Sequence, residues 1–292
     1  MTRLFLALCL AAALACPAVA DSRSLTIGGR ERSYLVHRPP GLDRSKPVPL
    51  VVMLHGAFGT DAQAERTYGW DAAAARGGFV VVYPDGVGRT WNAGGACCGR
   101  SHRDDVDDVG FLDTLIGAVA QAENIDQKRI YLTGMSNGGA MTYRYACDGK
   151  VRLAAIGPVA SSFTFACDKA RPVAVLAIHG LQDKSVPFAG GQGGRGRDIV
   201  WLPVQASLDV FRDADKCGAP TLTQAGVVTT STARCDKGRE VVLITVDDGG
   251  HQWPGSHREA GLGARLLHLD EPSQAFDATA RLWDFFARFA NE

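Results

Sequence analysis

The order of apolar and amphipathic segments predicts an α/β protein with a mostly parallel central sheet and helices on both faces. Three observations carry that prediction. Runs such as VPLVVMLHG (48–56), FVVVYPDG (79–86) and PVAVLAIHG (172–180) are apolar almost without interruption, too apolar for strands with one wet face. Segments with helical spacing lie between them, as in DDVGFLDTLIGAVAQAEN (107–124). Strand and helix signals then alternate along the chain, which is the pattern of parallel strands joined by crossover helices.

Taken in order, SLTIGGRERSYLVHRP (24–39) reads as a hairpin, two short alternating runs around Gly28-Gly29. The first buried strand, 48–56, ends in a turn. DAQAERTYGWDAAAARGG (61–78) has helical spacing and stops on glycine. The strand 79–86 follows, then the helix 107–124, with Asp107 or Asp108 placed to cap it. RIYLTG (129–134) is a strand and NGGAMTYRYAC (137–147) a helix. LAAIGPVAS (153–161) and 172–180 are strands, LPVQASLDVFRDADK (202–216) a helix and REVVLITVDDGG (239–250) a strand. SQAFDATARLWDFFARF (273–289) is an amphipathic helix.

The chain shows neither an internal repeat nor a linker long enough to divide it, so residues 21–292 read as one domain. At 46% hydrophobic residues it has ample material for a large core. Lys plus Arg equals Asp plus Glu at 31 each, so no basic surplus points to nucleic acid and no charged tail to a membrane surface. AGGQGGRGR (189–197) matches G-x-G-x-x-G through Gly191, Gly193 and Gly196, but it lacks the strand-then-helix setting of a dinucleotide site and reads as a loop.

Residues 1–20 stand apart. Arg3, the apolar LFLALCLAAALA and Ala18-Val19-Ala20 make a secretory signal peptide cut before Asp21. The apolar run is too short to span a bilayer, and no later stretch is apolar enough. Cys16 leaves a lipoprotein anchor as the alternative. Export makes disulfides the expected state of Cys97, Cys98, Cys147, Cys167, Cys217 and Cys235. The expected pairs are Cys217–Cys235, which flank a strand-like stretch, and Cys147–Cys167. Cys97 and Cys98 either bridge each other or pair elsewhere. A zinc site is disfavoured, since no C-x-x-C or H-x-x-x-H is present.

Gly134-Met135-Ser136-Asn137-Gly138 fits G-x-S-x-G between a strand and a helix. So tight a turn holds the serine oxygen above the sheet and sets free helix N–H groups beside it. Serine needs a base and an orienter. Asp183 in AIHGLQDKSVP and His251 in DGGHQWPG each fall just past a strand, in the order Ser, Asp, His used by α/β-hydrolases. The expectation is that Ser136 attacks, His251 carries the proton and Asp183 holds the imidazole. Asp247 and Asp248 rank below Asp183, because they sit on the same strand end as His251. The backbone N–H groups of Asn137 and of Ala57, with Phe58 as fallback, are the expected oxyanion donors. Asp104, Asp105, Asp107 and Asp108 lack the EF-hand pattern for calcium and read as caps and solvated charge. His37, His102, His179, His257 and His268 show no partner pattern.

VMLHGAFG, TWNAGGACCG, VDDVGFL, GMSNGGAM, HGLQD and GGHQWPG, in this order, resemble the secreted esterases that include polyhydroxybutyrate depolymerase-like enzymes and feruloyl esterases. The resemblance spans roughly residues 30–290. It implies an α/β-hydrolase fold, a Ser136-Asp183-His251 triad and no cofactor; the missing zinc and EF-hand patterns leave no metal expected. The resemblance leaves the substrate within the family open; the candidates are a feruloyl or acetyl polysaccharide ester and a hydroxyalkanoate oligomer. It also suggests Trp91 and Trp253 as substrate-binding faces near the cleft, with packing as the alternative. The turn Ala57-Phe58 departs from many relatives and leaves acyl preference open. Two other readings compete: an exported, non-catalytic module that binds glycan or polymer, and a peptidase on the same fold.

Overall fold

A computed structural model of the protein describes residues 20–194, 198–256 and 270–291. The leader up to Val19, Cys16 within it, Gly196, His257 and His268 lie outside the described residues. The chain opens with β1 (Asp21–Ile27) and β2 (Arg30–His37), an antiparallel hairpin that turns on Gly28 and Gly29 at φ 56° and 75°. Next come β3 (Val48–Leu54), α1 (Asp61–Tyr68), α2 (Trp70–Gly77), β4 (Val80–Pro84), α3 (Gly99–Arg103) and α4 (Asp108–Ala122). They are followed by β5 (Ile125–Met135), α5 (Asn137–Asp148), β6 (Ala155–Val159) and β7 (Ala174–Gly180). A two-residue ribbon, β8 (Gly191–Gln192) with β9 (Val200–Trp201), precedes α6 (Val204–Ala214). β10 (Thr221–Ala225), β11 (Val228–Arg234), β12 (Glu240–Val246) and α7 (Ala278–Phe286) complete the described strands and α-helices.

Ten strands form one sheet in the order β1-β2-β4-β3-β5-β6-β7-β12-β11-β10. From β4 to β12 every pairing is parallel, while both flanks are antiparallel. This is the α/β-hydrolase fold. The continuous apolar runs have a direct cause in the period of two. In β3, Leu50, Val52 and Leu54 join a core with Phe111, Leu115 and Ile116 of α4 and Leu208 and Phe211 of α6. Val51 and Met53 join the opposite core, with Trp70 of α2 and Leu282 and Phe286 of α7. Both faces are covered, so both alternating sets must be apolar. Each such side chain contributes about 1.5–3 kcal/mol by leaving water.

Three expected elements differ in detail. The helix over 61–78 is two helices, because Gly69 takes the left-handed conformation at φ 73° and redirects the chain. The last helix begins at Ala278, not near 273. Asp277 caps it by accepting from the Ala280 N–H at 3.0 Å, and residues 273–278 are tied back through Gly255 N–H to Ser273 C=O and Ala278 N–H to Pro254 C=O. The stretch between Cys217 and Cys235 holds two strands, turning at Gly226 with φ 60°.

Disulfides join Cys147–Cys167, Cys217–Cys235 and the neighbours Cys97–Cys98, whose peptide bond is cis. The acidic cluster divides its labour. Asp107 caps α4 by accepting from Gly110 N–H at 2.8 Å. Asp108, fully buried, accepts from Arg32 Nη2 and Asn92 N–H, both at 2.7 Å, and so pins the segment carrying Trp91 and Asn92. Burial pushes the Asp108 carboxyl up, and Arg32 and the Asn92 N–H offset only part of that.

Candidate active site

Ser136 sits between β5 and α5 at φ 55°, ψ −118°, a conformation that L side chains rarely adopt and that costs about 1–3 kcal/mol. Its neighbours show why they must be glycine. A Cβ on Gly134 would lie 2.5 Å from the Gly138 carbonyl carbon, and one on Gly138 would lie 2.5 Å from the carbonyl oxygens of Leu54 and His55. Backbone meets backbone here, so β3, β5 and α5 approach only without side chains.

Asp183 stands three residues beyond β7 and His251 five beyond β12. β5, β7 and β12 run parallel, so all three side chains arrive at the same edge of the sheet. They form a continuous line. Ser136 Oγ and His251 Nε2 are 2.8 Å apart, and His251 Nδ1 and Asp183 Oδ2 are also 2.8 Å apart. The other carboxylate oxygen, Oδ1, accepts from the backbone N–H groups of Ser185 and Val186 at 2.8 Å each. Burial pushes the Asp183 carboxyl up, but its bond to His251, the charge His251 carries when protonated, the neighbouring His179 ring and the Val186 N–H outweigh burial and hold it below its ordinary value. The carboxylate on His251 Nδ1 is that of Asp183, while the Asp247 backbone N–H is bonded to Val227 C=O at 2.9 Å.

The loop after β3 is zipped to the loop after β4. Phe58 N–H donates to Arg89 C=O at 2.8 Å, Arg89 Nη2 donates back to Phe58 C=O, and Arg89 Nε reaches Gly59 C=O at 3.3 Å. Gly86 N–H donates to His55 Nε2 at 2.9 Å. The Phe58 N–H is therefore engaged and the fallback donor is removed. The N–H groups of Ala57 and Asn137 are not paired with any loop, turn or side-chain acceptor among the described residues. Gly56 brings this loop to Ser136, since a Cβ there would lie 3.6 Å from Ser136 Cβ. The Asn137 side chain braces the other side, accepting from Trp91 N–H at 2.7 Å and donating to Trp91 C=O at 2.9 Å.

Trp91 and Trp253 are not cleft faces. Trp91 is 0% exposed, with Nε1 donating to His55 C=O. Trp253 is 2% exposed, with Nε1 on Thr279 Oγ1 and its ring against Tyr68. Both satisfied their N–H groups inside the core, which is what packing requires of a buried indole. The exposed aromatic at the site is Phe58, 51% exposed at φ 66° beside Ala57. Sequence reasoning also missed Asp270, whose Oδ2 accepts the His251 N–H at 2.6 Å. No local pattern marks it. The Asp183-x-Ser185 spacing, by contrast, is an Asx-turn signal that could have announced the Oδ1 contacts.

A parallel sheet with a strained serine, a histidine and a carboxylate aligned at one edge defines an enzyme of the α/β-hydrolase class. Residues 32–179 match the family model described as Esterase PHB depolymerase, and the chain belongs to that family. A protein named as an esterase, NocK of Nocardia uniformis subsp. tsuyamanensis, is 30% identical over 287 residues, covering 89% of this chain and 82% of its own length. Feruloyl esterase C of Emericella nidulans is 29% identical, covering 89% of this chain and 84% of its own. Feruloyl esterase B of Piromyces equi is 30% identical over 75% of this chain but only 42% of its own length. Among solved structures, the acetyl xylan esterase from Aspergillus awamori superposes with a TM-score of 0.58 at 14% identity, over 85% of this chain and 98% of that one. That likeness shows the fold. The chain is a carboxylic-ester hydrolase.

Proposed function

We propose that the protein is an exported serine esterase that works through an acyl-enzyme on Ser136. The unbroken line Ser136–His251–Asp183 carries this reading. Ser136 Oγ attacks the ester carbonyl carbon as its proton passes to His251 Nε2. The carbonyl π pair moves onto oxygen, where the Ala57 and Asn137 N–H groups receive it. Each such donor is worth about 2.7–4 kcal/mol in the transition state. The imidazolium then gives its proton to the departing alkoxide, and the ester C–O bond breaks. Water repeats the sequence, and the acid leaves as Ser136 recovers its proton. Asp183, ionised because its pKa is held down, fixes the Nδ1–H tautomer throughout. A depressed carboxylate contributes stability that is present above its unfolded value and is lost only as pH falls through the depressed one. The pairing therefore holds across the neutral and mildly acidic range.

Feruloyl and acetyl esters of polysaccharides, or hydroxyalkanoate oligomers, are the proposed substrates, following the relatives named feruloyl esterase and the family description. Export is supported by the three cysteine pairs and by the leader pattern of residues 1–20. Hydrolysis of p-nitrophenyl acetate, methyl ferulate and short hydroxybutyrate esters tests the activity and ranks the substrates. Ser136→Ala is expected to lose activity on all of them, together with labelling by a fluorophosphonate probe. Activity persisting in that variant sinks the nucleophile, and binding of polymer without labelling supports the non-catalytic alternative. N-terminal sequencing of exported protein should begin at Asp21.

A further inference from the structure

The imidazole of His179 takes no part in the proton transfers above, yet it is buried beside them. His179 is the penultimate residue of β7 and is 2% exposed. Its Nε2 lies 2.9 Å from Val186 C=O and 3.6 Å from Asp183 Oδ2. A carbonyl can only accept, so Nε2 carries the hydrogen. The bond closes the turn 180–186 from beneath. The same turn supplies the Ser185 and Val186 N–H groups that hold Asp183 Oδ1. Val186 is thus held at both ends of its residue: its N–H on the carboxylate and its C=O on His179.

We propose that His179 is a positioning residue for the reaction, acting through the Val186 carbonyl to fix the carboxylate of Asp183 against His251. It rests on the Ser136–His251–Asp183 reading. Among the described residues, the titratable groups facing it are Asp183 on its own turn and His251 from the loop after β12. The loop after β6 contributes the Ser161 backbone, and the segment beyond the turn contributes the Phe188 ring, 5.9 Å away edge-on. Burial lowers the His179 pKa, and Asp183 and the Val186 carbonyl restore only part. The ring therefore stays neutral at neutral pH. A second cation beside Asp183 would compete with the His251 imidazolium for one carboxylate, and neutrality avoids that competition.

Two variants that fill the same space separate donor from bulk. His179→Met removes the N–H, and His179→Gln keeps an N–H at a similar reach. His179→Met is expected to lower kcat about tenfold with KM within about twofold, because the loss falls on the transition state. A less firmly held Asp183 stabilises the His251 imidazolium less, so the acid limb of kcat/KM should move to lower pH by about half a unit. His179→Gln should recover most of both effects. Wild-type kcat and an unmoved acid limb in His179→Met overturn the proposal. So does His179→Gln failing as badly as His179→Met, which would assign the effect to the ring's shape; if His179→Met does not fold, the His179→Gln profile decides alone by matching or departing from wild type. Ser136→Ala reports on the nucleophile independently, so loss of the parent reading is told apart from loss of this one.

Discussion

β3 and β10 are strands of the same sheet, yet every residue of β3 is buried and every residue of β10 is exposed. β3 is held by side chains packed on both faces and leads into the loop that meets Ser136. β10 is held by its hydrogen-bonded register with β11 and by Cys217–Cys235, which closes the hairpin from outside. Position is therefore defined by packing where chemistry needs it, and by a covalent staple where little core is available. The lesson is that damage at the centre should register as lost activity, and damage at the flank as lost stability only.

The largest expected effect tests the central half of that contrast. Asp183→Asn keeps the shape but removes the charge that stabilises the imidazolium, and should lower kcat about ten-thousandfold. Steady-state kinetics on p-nitrophenyl acetate measure it; a loss under about tenfold would assign the orienting role to another group. Gly138→Ala comes next. Its Cβ would press on the Leu54 and His55 carbonyls, so it should cost about 1–3 kcal/mol in urea unfolding and depress activity as well. At the flank, Cys217→Ser with Cys235→Ser opens a loop of sequence separation 18, which should cost about 3 kcal/mol while kcat stays within about twofold. A matching fall in kcat would break the comparison. Leu222→Thr, on the open face of β10 at 69% exposure, is the smallest and should stay within about 0.5 kcal/mol by the same unfolding measurement.

Much of this was legible in the sequence for physical reasons. Double burial leaves an uninterrupted apolar run, so the central strands announce themselves. The turn around Ser136 admits only small neighbours, so Gly134 and Gly138 mark it. The same logic fails where an apolar residue has two equivalent uses. Trp91 and Trp253 carry a flat face and a donor, and nothing in their neighbours tells a stacking platform from a packed indole. His179 and Asp270 act through contacts made by the fold, to a carbonyl and to a backbone N–H, and such partners carry no side-chain signature. The break at Gly69 was hidden because helical spacing continues across it.

The alternation of β3 between two cores has a consequence for how this chain can change over generations. Inserting one residue into such a strand would trade every inward group for its neighbour and mismatch both layers at once. Deletions would do the same. Length variation is thereby channelled into the segments beyond the strand ends, and on one side those segments surround Ser136. Descendants can acquire new substrates there while the scaffold beneath them keeps its register.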